Sequence, residues 1–497
     1  MERKKYRAWN PDQLLLFPPA MRDWLPEDHL VFRFLEVIDV LDLSSITDDI
    51  QDKDPRGTRP YHPRMMLALL VYGYGCGIYS SRKISAATYD MIPFRVLTGD
   101  QHPHFTVINE FRLRHLDAFV DLFVQVLRLC GRAGLLDLEH VSLDGSKVEA
   151  NASKHKAMSY RRMEQEVERL EREIREFTAK AVGVDAEEDE LCGKGGEAHE
   201  IRAELRRREE RLKRIARAKR ELEQEARRSR EQELRERARR QRSRAETEDD
   251  PIERKRKRTR ARKDQEEADR LAEDGGESGS DEGEHDLLSH RVASTPTGRP
   301  RAEAQRNFTD PDSRIMKRGT TYLQGYNCQI AVDGANQVIV AEGVTNQAPD
   351  QEHLIPMMER VRRNTGGSPK RLTADAGYMS EENVEFCQRR DIDAYLAVSR
   401  AKHGSSRNGQ PPPQEKQAWR TMREKLSSQQ GRQIYSRRKT IAEPVFGQAK
   451  QARGFRRFSL RGLQKVRGEW TLVCLCSNLL KLVNAAASFD RVAAQPA

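Results

Sequence analysis

Three carboxylates in this 497-residue chain stand where structure alone would not ask for them. Asp144 follows Val141-Ser142-Leu143, at the expected end of a strand, and precedes Gly145. Asp375 ends Arg371-Leu372-Thr373-Ala374 and precedes Ala376-Gly377-Tyr378. Asp is depleted in strands, and ligands of α/β sheets collect at strand carboxyl ends. Taken singly, both also read as turn or helix-cap aspartates. Glu443 is one of four acidic residues in 400–470, against 18 Lys/Arg. One carboxylate in so basic a stretch would be odd if it served only solubility. Phosphodiester cleavage with two metal ions unites these features. Mg²⁺ takes oxygen ligands, few of them from protein. Two ions ~4 Å apart activate the attacking oxygen and stabilise the leaving one, so two or three carboxylates suffice. The basic surroundings then hold a polyanion. Within them, Gly454–Gly468 (GFRRFSLRGLQKVRG) interleaves Arg456 and Arg457 with Phe455 and Phe458. Such a stretch can sit on phosphates while its aromatics anchor the loop. It also reads as a plain basic surface before the last helix.

The elements that must position these groups are α/β. Val141–Glu149 alternates like a strand, and Gln324–Val332 and Gln337–Val344 flank a turn at Asp333-Gly334 as a hairpin. A helix is expected over Asp350–Arg363, a strand over Lys370–Asp375, a helix over Glu381–Arg390 and a strand over Ala394–Val398. Trp470–Val483, with Trp470, Val473, Cys474 and Leu480 on one face, closes the domain. Residues 11–135 read as short helices broken by Pro26, Pro55, Pro60, Pro63, Pro93 and Pro103. Arg64, Arg82, Lys83, Arg95, Arg112 and Arg114 make them basic, which suits DNA binding by a helix-turn-helix across Ser80–His115, or an ordinary solvated bundle.

One strand precedes a long charged insertion and the rest follow it. Residues 161–270 hold 35 Lys/Arg and 31 Asp/Glu, with Phe177 the only aromatic. No globular core follows from that; a solvated coiled coil does. Met163, Val167, Leu170, Ile174, Phe177 and Ala181 are spaced as an a/d seam. Ile201, Leu205, Leu212, Ile215 and Leu222 repeat the rhythm, with Arg208 at the skipped position. We expect an antiparallel hairpin of 160–182 and 199–243, reversing at Gly183–Gly196. The basic run Arg254–Lys263 and the acidic run Glu273–Asp286 read as mobile. The insertion's net charge of only +4 points to a spacer, or to a contact with a partner subunit or flanking DNA.

The whole chain carries net charge +11, and 37% of its residues are apolar. Met1-Glu2-Arg3-Lys4-Lys5 leads into no apolar run, so no signal peptide is expected. Met65–Tyr79 and Trp470–Val483 are too short or interrupted to span a membrane. Seven cysteines show neither metal spacing nor a disulfide framework, as for reduced thiols in a cytosolic protein.

Five segments together resemble a DDE transposase of a bacterial insertion sequence: VSLDGSKVEANAS (141–153), NFTDPDSRIMKRG (307–319), QGYNCQIAVD (324–333), TADAGYMSEEN (373–383) and YSRRKTIAEPVFGQAK (435–450). The resemblance covers nearly the whole chain outside the insertion. It implies a ribonuclease-H-like mixed-sheet catalytic domain (136–159 plus 304–490) and an all-α amino-terminal DNA-binding domain (1–135), with the coiled-coil or disordered charged insertion (160–303) read above interrupting the first. It implies Asp144, Asp375 and Glu443 as the triad that binds two Mg²⁺ ions, with Mn²⁺ able to substitute. The glutamate region is similar to the family's Tyr-Arg-Glu-Lys signature. Tyr435, Arg438 and Lys450 match it, though the gap from Arg438 to Glu443 is one residue long, and Lys439 competes for the arginine's role. A continuous helix would put Tyr435, Lys439 and Glu443 on one face, whereas Pro444 allows a helix that starts there with Glu443 as its cap. Asp310-Pro311-Asp312 reads as a structural turn, and Asp333 as a hairpin turn.

The resemblance further implies a protein that binds terminal inverted repeats, hydrolyses a phosphodiester at each element end and joins the 3′-OH to target DNA. It would work as a homodimer or larger synaptic complex in the bacterial cytoplasm, at the nucleoid. Expected DNA contacts are Arg438, Lys439, Lys450, Arg456, Arg457, Arg112 and Arg114. The alternatives are a nuclease of the same fold that does no strand transfer, and a non-catalytic DNA-binding coiled-coil protein.

Overall fold

Prolines and glycines punctuate the amino-terminal region into short helices. The computed structural model describes residues 20–51, 60–190, 196–273, 287–398 and 417–485, without the side chains of 49–51 and 180–202. Its helices there are α1 (Leu30–Asp39), α2 (Ser44–Gln51), α3 (Pro63–Gly75), α4 (Ser81–Asp90), α5 (Ile92–Thr98), α6 (Phe105–Arg114) and α7 (Ala118–Arg132). Pro63 opens α3, where its missing N–H costs nothing, and His62 Nδ1 accepts from Arg64 N at 3.2 Å. Gly99, at φ +57°, ends α5 in the left-handed conformation that favours glycine. The apolar stripes meet in a core around Phe34, Leu69, Tyr72, Phe94, Phe119 and Phe123. The Tyr72 ring stands edge-on to Phe34 and Phe94, at centroid distances of 5.5 and 5.2 Å.

The chain divides into two units: Met1–Leu136 with Gln448–Phe455 and Leu472–Ala497, and Asp137–Gly447 with Arg456–Thr471. The boundary cuts through the terminal helix α17 (Leu463–Asn484), which the sequence reading kept whole in the catalytic domain. In the first unit, Gly77 (φ +78°) allows a close backbone approach: a Cβ there would lie 2.6 Å from Arg453 O.

The second unit is built on a mixed sheet. Its strands are β1 (His140–Glu149), β4 (Arg314–Arg318), β5 (Thr321–Asp333), β6 (Ile339–Thr345), β7 (Arg371–Ala374) and β8 (Asp393–Leu396); β2 (Ala157–Ser159) and β3 (Gln305–Asn307) pair separately. β1 runs antiparallel to β5 from Val141↔Asp333 to Glu149↔Gly325. It runs parallel to β7 only from His140↔Arg371 to Leu143↔Ala374. β7 and β8 are parallel, while β4 and β6 pair with successive parts of β5. A mixed sheet of this kind, following a helical amino-terminal region, is consistent with a ribonuclease-H-like DDE domain. The hairpin and the alternating elements after it stand close to where the sequence placed them, as β5, β6, α11 (Leu354–Thr365), β7, α12 (Glu381–Arg389) and β8.

The insertion between β2 and β3 comprises three described helices: α8 (Tyr160–Glu190), α9 (Gly196–Glu246) and α10 (Pro251–Glu273). Met163, Leu170, Ile215 and Leu222 are buried together, with Val167 and Leu212 packed against them. Arg208, at the skipped apolar position, lays its guanidinium 4.2 Å from the Phe177 ring centroid and donates to Glu173 at 3.0 Å. Two expectations are corrected. Helix α8 continues through Gly183 to Glu190, past the start of the segment expected to turn; residues 191–195 lie outside the described residues. The basic run Arg254–Lys263 is helix, packed antiparallel on α9 as part of α10. The physical reason is an alanine seam. Ala238 and Ala245 on α9, and Ala261 and Ala268 on α10, are all buried and let the backbones approach. Arg237 on α9 grips Asp264 on α10, with Nε 2.7 Å from Oδ2. Apart from Glu273, which ends α10, the acidic run lies outside the described residues.

Candidate catalytic site

Asp144 is not at the end of β1 but in its middle. The end that matters is that of β7. The parallel pairing stops at Leu143↔Ala374, so Asp144 and Asp375 each follow the last paired residue of neighbouring strands. Pairing with β5 carries β1 onward to Glu149, the end that the alternation over Val141–Glu149 marks. Asp375 keeps its cap role as well, accepting from Gly377 N at 2.8 Å.

Glu443 arrives from the carboxyl-terminal segment. After α13 (Gln417–Ser427) and α14 (Gln429–Ser436), the chain forms two short helices, α15 (Arg438–Ile441) and α16 (Glu443–Gly447). Pro444 breaks the helix, and Glu443 opens α16. Glu443 is half-exposed, whereas Asp144 and Arg438 are each 14% exposed at the side chain. Arg438 joins the carboxylates. Its Nη1 lies 3.5 Å from Asp144 Oδ1, and its Nη2 lies 3.2 Å from Glu443 Oε1. Of the two rival cations, Arg438 reaches the carboxylates, while Lys439 is exposed. Arg438 Nε is buried without a hydrogen-bond partner.

Burial pushes the Asp144 carboxyl up to about 6, against the pull of Arg438. The negative charges of Asp375 and Glu443 add to the rise, and a hydrogen bond from Gly145 N, at 3.0 Å, opposes it. Asp144 therefore feels both of the other acids. The three do not close into a ligand cluster: among the described residues, no three His, Cys, Asp or Glu side chains are grouped to hold a metal ion. The Arg438 guanidinium supplies countercharge between two of the acids, Asp144 and Glu443. All-oxygen, anionic donors suit a hard divalent cation.

A polar cradle behind this site escaped the sequence reading. Asp350, just before α11, accepts from Lys147 Nζ at 3.1 Å, Asn327 Nδ2 at 2.7 Å and Gln329 Nε2 at 2.8 Å. The Tyr378 hydroxyl donates to Gln329 Oε1. Strand alternation puts Gly145 and Lys147 on the face of β1 opposite Asp144, across from Gln329 and Asn327 on β5. Gly145 is needed there, since a Cβ would lie 2.5 Å from Gln329 Nε2 and 2.9 Å from Asp350 Oδ1. The signal was present in the sequence: Asn327 and Gln329 stand among Tyr326, Cys328 and Ile330 in the strand, and both are fully buried.

The remaining expected contacts divide. Arg456 and Arg457 are exposed beside the end of β1; Arg457 donates to Ala150 O at 3.1 Å, and Phe458 is buried behind it. Arg114 is exposed. Lys450 sits on a π-helical turn, Gln448–Ala452, in the first unit. Arg112 is a correction. It is 3% exposed, and it donates to Tyr74 Oη at 2.9 Å, Tyr79 O at 3.1 Å and Asn109 Oδ1 at 2.7 Å. Its charge ties the helices together and cannot face DNA. Asp310 is buried, accepting from Tyr326 Oη at 2.8 Å, and Asp312 accepts from Leu463 N at 2.8 Å at the start of α17. Asp333 accepts from Leu138 N at 2.9 Å and Ala335 N at 2.9 Å.

No helix among the described residues is long and apolar enough to cross a membrane. Comparison with known families gives two matches. Residues 288–479 match the family described as Transposase DDE domain, and residues 19–114 match Transposase domain (DUF772). No curated protein and no solved structure gives a significant match.

Proposed function

This chain carries the two domains of a DDE transposase, and from that premise we propose that Asp144, Asp375 and Glu443 are its catalytic acids, acting on the ends of an insertion sequence. The observation that carries the reading is the meeting of Asp144 and Glu443, remote in sequence, on the single guanidinium of Arg438.

The three carboxylates would hold two Mg²⁺ ions, or Mn²⁺ in their place. When bound, the ions would polarise the scissile phosphate and stabilise the leaving oxygen. Arg438, whose guanidinium stands between Asp144 and Glu443, would meet phosphate oxygens there. The Asp350 cradle holds the β1 backbone behind Asp144. In the first step, water attacks phosphorus in line, the bond to O3′ breaks, and the element keeps a 3′-OH. In the second, that hydroxyl attacks a target phosphate and displaces a target 3′ oxygen. Arg456, Arg457, Lys439, Lys450 and Arg114 contact DNA phosphates. Joining two ends in one event calls for a homodimer or larger synaptic complex, in the bacterial cytoplasm at the nucleoid.

The test is cleavage of a duplex carrying the element's end. Asp144→Asn, Asp375→Asn and Glu443→Gln should each abolish cutting in Mg²⁺ while end binding persists. Full cutting by any one of them would remove that residue from the site. Cutting without joining by the wild type would leave a nuclease.

A further inference from the structure

The insertion's small net charge conceals a segregation that the α9–α10 packing creates. Residues 235–263 form the tip of this antiparallel pair, with 14 Lys/Arg against 6 Asp/Glu, net +8. The rest of 161–270 has 21 against 25, net −4. The tip therefore holds all of the positive excess.

Both regions pair part of their cations, but only the tip is left with a positive excess. Along α8 and the first half of α9, ion pairs neutralise the surface. Arg169 pairs with Glu166 and Glu173, Arg207 with Glu204, Arg211 with Glu166, and Arg217 with Glu221. At the tip Arg235, Arg237, Arg256 and Arg262 also pair, with Glu231, Asp264, Glu253 and Glu266, but the cations outnumber the acids. Arg254–Lys263 contains eight Lys/Arg and no acid. Arg254 is spent on the loop, donating to Glu248 O at 2.8 Å, and Lys257 pairs with Glu248. Lys255, Arg258, Arg260 and Lys263 are exposed and pair with no described acid. Helix geometry puts Lys255, Arg258 and Arg262 at i, i+3 and i+7, along one stripe away from the buried Ala261, Asp264 and Ala268, with Arg262 also paired to Glu266 at 3.4 Å. Like charges so placed repel one another and weaken the helix unless an anion covers them.

The pair is firmly based. Glu225 of α9 binds Arg306 and Arg314, Glu236 binds Arg291, and Ser229 Oγ accepts from Val292 N at 3.0 Å. Beyond Glu236, α9 runs ten further residues, about 15 Å at 1.5 Å per residue. The tip is thus a stiff, cationic projection of the catalytic unit.

We infer that the α9–α10 tip is a contact surface for the phosphate backbone of duplex DNA, outside the catalytic site and without base readout. The observation that decides for DNA is charge: a tip of net +8 with exposed guanidinium and ammonium groups matches a polyanion. The inference rests on the transposase reading only for the identity of that polyanion.

The test uses the full-length protein and a generic 40-base-pair duplex, with binding measured by anisotropy across a salt series. Each lost phosphate contact should flatten the slope of log K against log salt by about 0.9. Replacing Lys255, Arg258, Arg260 and Lys263 together by Ala should flatten it by about 2 to 4 and weaken binding at least tenfold near physiological salt. Alanine favours helix, so helicity should hold. Arg207→Ala with Arg217→Ala, which removes paired cations from the same insertion, should leave the slope unchanged. The Asp144→Asn protein should show the same tip effect, so a failure of the catalytic assignment would not mask it. An unchanged slope overturns the proposal. So does tighter binding by the tip variant, the result expected if the six acids of 274–286 occupied the stripe instead of DNA.

Discussion

Arg438 Nη1 lies 3.5 Å from Asp144 Oδ1, and the other end of the same guanidinium reaches Glu443 at 3.2 Å. A carboxylate in the middle of the sheet and one on a carboxyl-terminal helix thus share a countercharge. This pairing has consequences that can be measured.

The first concerns pH. Burial raises Asp144 from 3.8 to about 6, so the folded state holds a proton that the unfolded state loses. Between about pH 4 and 6 the folded protein binds more protons, and stability falls as pH rises through that window. The loss attributable to Asp144 should be about 2–3 kcal/mol above pH 6, at about 1.4 kcal/mol per unit. Denaturation of wild type and Asp144→Asn in EDTA, compared between pH 4 and 7, checks this. Wild type should lose stability relative to the variant across the window, and parallel curves would mean that Asp144 is ordinarily acidic.

Gly145→Ala tests the cradle. Its Cβ would intrude on Gln329 and Asp350, so the variant should fold with reduced stability and cut poorly. The expected cost is about 1–3 kcal/mol, the range for overpacking. A variant of unchanged stability and full activity would show that the cradle gives way freely.

The insertion should behave as a packed unit. Leu222 is fully buried against α8, and Leu222→Ala should cost about 2–4 kcal/mol in the insertion's unfolding. Hydrogen exchange on α8 and α9 reads this locally. Leu170→Asp should abolish protection of both helices together.

Two arginines with similar sequence surroundings should behave oppositely. Arg112→Ala removes four hydrogen bonds from a buried place and should destabilise the amino-terminal helices by several kcal/mol, about 3 or more on the scale of broken buried networks. Arg457→Ala should leave the melting point nearly unchanged and weaken binding to all duplex sequences alike. Melting curves and salt titrations of the two variants separate these roles.

Much of this was legible from local pattern. Alternation marked β1 and β5, and the apolar seam from Met163 to Phe177 marked α8. Other features depended on information that no short window holds. Asp144 reads as a strand-end acid, yet it lies inside β1, and the end beside it is where the pairing with β7 stops at Leu143↔Ala374. Helix α10 was taken for a mobile basic run because its buried face is Ala261 and Ala268, too small to register beside eight cations. Arg112 reads as a surface charge until Tyr74 and Asn109 close around it. Asp350 passed for a helix start because its partners come from two different strands.

The central claim is that Asp144, Asp375 and Glu443 form one metal site. Fe²⁺ substituted for Mg²⁺, with ascorbate and peroxide, cuts a protein backbone only near the bound ion. With end DNA present, wild type should be cut near 144, 375 and 443 together, and Asp144→Asn or Glu443→Gln should lose all three cuts. Cutting at one of these positions alone, or a pattern that the substitutions leave intact, would contradict the account.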